Sequence, residues 1–424
     1  MSVIFLAGAV ARAQAPAGAE TFDAVWKIVR DTHFDPAFDV AQWERVRAEL
    51  RPKAIAAENA GELRQVLGDM LGRLGLSHFA VIPSSPDAPG DRTDLTGQPG
   101  MDARLLDGQL VVTSVDPSGG AAAAGVHTGW VIERVGDSAA DALLASVPAS
   151  TPARIRQLEV WRVLQTRLRG ASGSTAEVTF LDGSGAHVVK AVKREAERGD
   201  PVNVGNLPTL YVRTSVRGVE TPGGHTAGVI GFNVWMTAVD RTFQQAMDAH
   251  RGDEGIVIDL RGNPGGLAAM IMGISGHFLA DRAVLGVMKT KDSELHFTAN
   301  PRLVNAKGER VAPYAGPLAI LVDSMSGSAS ECFAGGMQSL GRAKVFGQTS
   351  MGQALPALFD RLPNGDVLIH AWGDFVTGTG VRIEGRGVVP DVSVAVTRED
   401  LLAGRDRTLN AALAWIDAET RNIR

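Results

Sequence analysis

The chain has 424 residues, 45% of them apolar and 21% charged, which allows two or three domains with real cores and excludes wholesale disorder. Its 42 basic and 47 acidic residues leave a net charge of −5; with no Lys/Arg-rich run, nucleic acid is not an expected partner. A single cysteine, Cys332, excludes a disulfide framework and any cysteine-based zinc site.

Residues 3–10 are apolar and small, and Ala13-Gln14-Ala15 and Pro16 follow. This reads as the end of a secretory leader over 1–15, cut after Ala15, so export to a periplasmic or extracellular space is expected. No later stretch reaches the ~18–20 apolar residues of a membrane span. Residues 16–82 read as a helical region. Phe22, Val25, Trp26 and Val29 recur at helical spacing, as do Trp43, Val46 and Leu50, and then Leu63, Leu67, Met70 and Leu74. The pattern ends at Gly75-Leu76-Ser77-His78-Phe79, before a strand-like Ala80-Val81-Ile82.

Residues 83–100 are rich in Pro, Gly, Asp and Ser and read as a linker. Over 97–196 short strands and turns take over. Residues 103–106 and 109–113 flank Asp107-Gly108, a two-residue hairpin signal, and a second hairpin spans 176–192. The run VVTSVDPSGGAAAAGVHTGWVIERVGD at 111–137 resembles a PDZ domain, with Trp130 where that family carries an aspartate. The resemblance implies capture of extended C-terminal peptides by strand addition, with a carboxylate-binding loop near Gly97–Met101.

From residue 200 to 424 the pattern is α/β. Buried strands are expected at 228–232, 255–260 and 318–322, and a helix at 240–250 with Asp240 as its N-cap. Two strand ends carry chemistry. After 318–322 comes a loop of small residues and a helix opening with Ser328-Ala329-Ser330-Glu331. A serine there lies beside free N–H groups and the positive end of a helix dipole, where an oxyanion is stabilised. The same residues also suit a plain capping box, with Glu331 three positions after Ser328. After 255–260 comes Arg261-Gly262-Asn263-Pro264-Gly265-Gly266, a glycine turn able to present N–H groups to a negative oxygen. A phosphate loop is excluded, since no G-K-[ST] follows.

Together these segments resemble the C-terminal-processing (tail-specific) serine peptidases and the tricorn core protease. The matching runs are D-x-R-x-N-x-G-G at Asp259–Gly266, S-A-S-E at Ser328–Glu331, and G-x-x-x-E-G-x-G-V-x-P-D-V at 380–392. The resemblance implies an α/β ββα-spiral core of the crotonase/Clp-protease type, behind a helical N-terminal region and a PDZ-like β-rich domain. It implies a serine endopeptidase acting on protein or peptide substrates, without metal or organic cofactor. Oligomeric state is not implied.

Tail-specific members pair the serine with a lysine in a G-x-x-T-x-G-K-G run. Here that run is Gly347-Gln-Thr-Ser-Met-Gly352-Gln353, and an amide has no basic lone pair near neutral pH. The tricorn-like branch supplies the alternative. By that resemblance Ser328 is the nucleophile and His78 the base, with Ser77 and Glu384 as a polar relay. Ala329 and one glycine of the Gly265/Gly266 pair donate to the oxyanion. An imidazole suits the base because its ordinary pKa lies near ~6.5. Asp259, Arg261 and Asn263 are expected to hold the loop. Two rival readings remain: a catalytically inactive binding protein on the same fold, for peptide or small apolar ligands, and an esterase using the same acyl-transfer groups.

Overall fold

The computed structural model describes residues 17–83, 96–203 and 209–423. The expected leader at 1–15 and most of the expected linker, 84–95, lie outside them. The chain divides into two compact units: residues 1–89 with 357–372, and residues 90–356 with 373–424.

The first unit is built on the three expected helices, Ala17–Thr32, Val40–Ala56 and Ala60–Gly72. Asp39 and Asn59 cap the second and third by accepting the N–H groups of Gln42 and Glu62. The apolar stripes meet in one core of Phe22, Val25, Val29, Trp43, Leu50, Leu67 and Met70, each large side chain contributing about 1.5–3 kcal/mol by leaving water. Trp26 and Trp43 lock the first two helices by donating each indole N–H to the other's carbonyl, at 3.2 and 3.1 Å.

This unit does not end at residue 82. Ala80–Ile82 pairs with Val367–Ala371, which pairs with Ala357–Arg361. The 357–372 hairpin, placed by sequence within the 200–424 segment, therefore belongs with the helices. Leu362 and Leu368 complete their core. Arg64 grips the fully buried Asp366 carboxylate through two hydrogen bonds of 2.8 Å.

In the second unit the β-rich region has its own core, including Val112, Ile132, Leu164, Val178 and Phe180. Its sheet runs Met101–Leu106, Gln109–Val115, Val131–Val135, Thr175–Leu181, His187–Lys193, all antiparallel. Both expected hairpins form. Asp107 and Gly108 take φ of 48° and 80°, the left-handed pair that a two-residue turn needs. Trp130 is core, edge-on to Phe180 at 5.6 Å. Residues 97–98, expected as linker, form a short strand against Glu195–Ala196. Sequence reading also missed the helix Ala153–Leu168, whose charged residues hide its buried stripe of Leu158, Leu164 and Leu168.

A second six-stranded sheet runs Thr214–Glu220, Thr226–Phe232, Gly255–Asp259, Leu318–Val322, Lys344–Gly347, Val392–Ser393. All but the first pair are parallel. Parallel strands covered on both faces read as continuous apolar runs, which is why 228–232 and 318–322 were legible. The crossover helix is Ala238–His250, with Thr237 rather than the expected Asp240 at its N-cap. Asp240 lies in the first turn, where its charge favours the dipole and meets Arg302 at 3.2 Å.

Candidate active site

Ser328 stands between the 318–322 strand and the helix Ala329–Ser339. Its backbone is held at φ 51°, ψ −117°, a conformation that costs a non-glycine residue ~1–3 kcal/mol. Only His78, Asp107 and Ser328 take positive φ among the described non-glycine residues. One is a hairpin turn; the other two are the expected base and nucleophile.

Two strand-end loops are zipped together to hold this turn. Gly327 N–H donates to the Asn263 carbonyl at 3.0 Å. Ser326 Oγ donates to the Leu260 carbonyl at 2.8 Å. Ser330 Oγ donates to the Asn263 carbonyl at 3.0 Å and accepts the Trp235 indole N–H at 2.8 Å. Ser326 and Ser330, two positions either side of Ser328, are thus structural pins with no exposed surface.

The glycine turn packs directly on the serine. A Cβ at Gly265 would lie 2.5 Å from Ser328 Cβ and 2.9 Å from the Ala329 nitrogen, so only glycine permits this approach. The two glycines are not equivalent. Asn263, fully buried, accepts the Gly265 N–H at 2.9 Å through Oδ1 and donates Nδ2 to the Phe232 carbonyl at 2.8 Å. Gly265 is buried and its N–H committed, whereas Gly266 is exposed at φ 139°. Asp259 and Arg261 hold the loop, as expected: Arg261 bonds both Asp259 and Asp406.

Glu331 does more than cap the helix. Fully buried, it accepts the Ser328 N–H at 3.1 Å, the Gly352 N–H at 2.7 Å, the Gln353 N–H at 2.9 Å and the Ser350 hydroxyl at 2.5 Å. Its carboxyl is raised to about 7 because burial outweighs the opposing pull of those donors. The residue that closes the S-A-S-E motif therefore ties the serine to the segment where tail-specific members carry their lysine. The spacing of the capping box was the only sequence signal for it.

Gln353 takes part through its backbone, its carbonyl accepting the Ser328 N–H at 2.9 Å. Lys344 offers no substitute base there, because its ammonium sits over the Trp415 ring at 5.6 Å. Glu384 is buried and accepts the Ala354 N–H at 2.9 Å. Ser328 and Glu384 thus bind adjacent residues of one strip, 353 and 354.

Ser77 and His78 belong to the helical unit. Ser77 Oγ and His78 Nδ1 are 2.8 Å apart. Burial lowers the His78 pKa to about 4, so the imidazole is neutral at neutral pH. If Nδ1–H donates to Ser77, Nε2 keeps a lone pair for accepting a proton. The structure thus brings together Ser328, Ala329, Gly265, Gly266 and Glu384 in one unit, and Ser77 and His78 in the other.

Residues 226–394 match peptidase family S41, and residues 18–72 match the tricorn protease C1 domain. A "Probable CtpA-like serine protease" of Staphylococcus haemolyticus is 25% identical over 344 residues, 80% of this chain and 61% of that protein. Its namesake from Staphylococcus epidermidis is 29% identical over 234 residues, 54% of this chain and 43% of that protein. The chain therefore spans roughly two-fifths to three-fifths of the length of these curated relatives. Among solved structures, the photosystem II D1 C-terminal processing protease aligns at TM-score 0.57 and 20% identity, over 95% of this chain and 98% of that one. The tricorn protease aligns at 0.55 and 18%, over 96% and 37%. Mature CPAF complexed with lactacystin aligns at 0.62 and 12%, over 96% and 98%. These three share the mixed α/β fold with a helical N-terminal region.

Proposed function

We propose, from the match of residues 226–394 to peptidase family S41 and of residues 18–72 to the tricorn protease C1 domain, that the chain is a serine endopeptidase using a tricorn-like Ser-His tetrad. Ser328 attacks the scissile carbonyl of a protein or peptide substrate. His78 Nε2 takes the hydroxyl proton and returns it to the leaving amine. Ser77 fixes the imidazole tautomer through Nδ1, and Glu384 completes the relay while holding the 353–354 strip. Ala329 and Gly266 donate N–H groups to the tetrahedral oxyanion. Gly265, whose N–H serves Asn263, supplies the close approach instead.

The observation that carries this reading is Ser328 itself. A strained serine begins a helix, and a glycine without room for a side chain packs against its Cβ. A structural cap needs neither feature.

In the same reading, residues 97–196 form a PDZ-like domain that engages substrate C-termini, and the protein acts after export. Among the described residues no helix is long and apolar enough to cross a membrane.

The test is digestion of reduced, unfolded casein, with fragments mapped by mass spectrometry. Wild type is expected to cut internal peptide bonds, and Ser328→Ala and His78→Ala to cut none. Intact casein with wild type, or equal cutting by Ser328→Ala, would refute the proposal.

A further inference from the structure

Trp235 sits in the short link between the strand Thr226–Phe232 and the helix Ala238–His250, and its side chain is fully buried. Its backbone bonds the glycine turn on both sides of Gly266. Trp235 N–H donates to the Gly265 carbonyl at 2.9 Å, and its own carbonyl accepts the Leu267 N–H at 2.7 Å. The two bonds make a one-residue parallel bridge between Trp235 and Gly266. In a parallel pair, the residue whose two neighbours are bonded points its own N–H and C=O the other way. Gly266 therefore aims its N–H away from Trp235, and among the described residues that N–H has no acceptor. A Cβ at Gly266 would lie 2.4 Å from the Trp235 oxygen, so a side chain there would push the two segments apart.

The indole reaches the other loop. Its Nε1–H donates to Ser330 Oγ at 2.8 Å, Ser330 Oγ donates to the Asn263 carbonyl at 3.0 Å, and Asn263 Oδ1 accepts the Gly265 N–H at 2.9 Å. With the Trp235 N–H on the Gly265 carbonyl, these bonds close into a ring through Trp235, Ser330, Asn263 and Gly265. Every member is buried. Such a closed network is stiff, because breaking one bond strands a polar group away from water. Phe232 meets the indole edge-on at 4.8 Å, and Phe333, on the nucleophile helix, lies 5.3 Å from it, so the indole is wedged as well as bonded.

We propose that Trp235 is the positioning residue of the oxyanion site. Its backbone aims the Gly266 N–H. Its indole, through Ser330, fixes the first turn of the helix that supplies the Ala329 N–H. One residue thus sets the spacing of two donors that come from separate loops. Donors fixed before reaction stabilise a developing negative charge without a reorganisation cost. Trp235 acts through Gly266 and Ser330, not on the substrate. This inference rests on the peptidase reading of Ser328, with Ala329 and Gly266 as the donors.

The test uses the full chain as wild type, Trp235→Phe, Ser330→Ala and the double variant. Trp235→Phe keeps an aromatic ring and both backbone bonds and loses only the indole donor. The readouts are kcat and KM on fluorescein-labelled casein, the rate of fluorophosphonate labelling of Ser328, and deuterium exchange at the amides of 264–268 and 328–332. Trp235→Phe is expected to lower kcat and the labelling rate about tenfold, short of the ~10²–10³ of losing a donor outright, with KM changed by no more than about twofold. The double variant is expected to match Ser330→Ala, since both changes break one link. Exchange is expected to quicken in both segments of Trp235→Phe. A lower melting temperature with unchanged kcat and labelling would leave Trp235 a packing residue and overturn the proposal, as would losses that multiply in the double variant. Should Trp235→Phe fail to fold, Ser330→Ala breaks the same link, and an unchanged kcat there overturns the proposal. If wild type neither labels nor cuts casein, the peptidase reading fails. Exchange then decides the positioning claim: quickening in both segments of Trp235→Phe upholds it, and quickening in one or neither overturns it.

Discussion

Ser328 and His78 combine reactive side chains with positive φ, and each makes a quantitative prediction. Replacing Ser328 by alanine removes the hydroxyl and keeps the backbone strain. Replacing it by glycine removes both, recovering ~1–3 kcal/mol of strain against ~0.4–1 kcal/mol for the freer unfolded chain. Thermal unfolding is expected to show Ser328→Gly melting above Ser328→Ala; the reverse order would deny the strain. For His78, burial lowers the pKa from 6.5 to about 4. A base must be neutral to accept a proton, so the acid limb of kcat/KM is expected near pH 4 and not near 6.5. The same shift contributes stability that is fully present above pH 6.5 and lost as pH falls towards 4. An acid limb at pH 6–7 that persists in His78→Ala would assign the titration to another group.

At the scale of elements, the site is a joint between two strand ends that a glycine turn lets close. Gly265→Ala would drive a methyl group into Ser328 and the Ala329 amide. Reaction of Ser328 with a serine-directed probe is expected to slow about 100-fold or more, the size of losing an oxyanion donor. A wild-type rate would show that the contact is slack. Glu331 holds the other side of the joint. Removing it takes away the carboxylate that accepts from the Gln353 N–H and the buried Ser350 hydroxyl, at ~1–3 kcal/mol each. Urea unfolding of Glu331→Ala is therefore expected to show a loss of ~2–6 kcal/mol; a change within error would mean that water satisfies those groups.

At the scale of the whole molecule, legibility in sequence follows from how local each feature is. The helical stripes, the Asp107-Gly108 hairpin and the apolar run 318–322 are set by neighbouring residues, and they stand where periodicity puts them. The S-A-S-E and D-x-R-x-N-x-G-G runs were legible because a tight turn demands particular small residues at fixed spacing. Other features depend on partners far along the chain. The 357–372 hairpin joins the helices through Leu362, Leu368 and the Arg64–Asp366 pair, which no local pattern shows. The unequal roles of Gly265 and Gly266 are decided by the Asn263 side chain. Glu331 read as a helix cap because its partners at 350–353 are distant in sequence.

In the proposed mechanism His78, and not Gln353, activates Ser328 as the nucleophile. The most direct measurement is intact-mass labelling by a fluorophosphonate at pH 7 on wild type, Ser328→Ala, His78→Ala and Gln353→Ala. A single adduct on wild type and Gln353→Ala, absent from Ser328→Ala and His78→Ala, is the predicted result. No adduct on wild type, or undiminished labelling of His78→Ala, would rule that mechanism out.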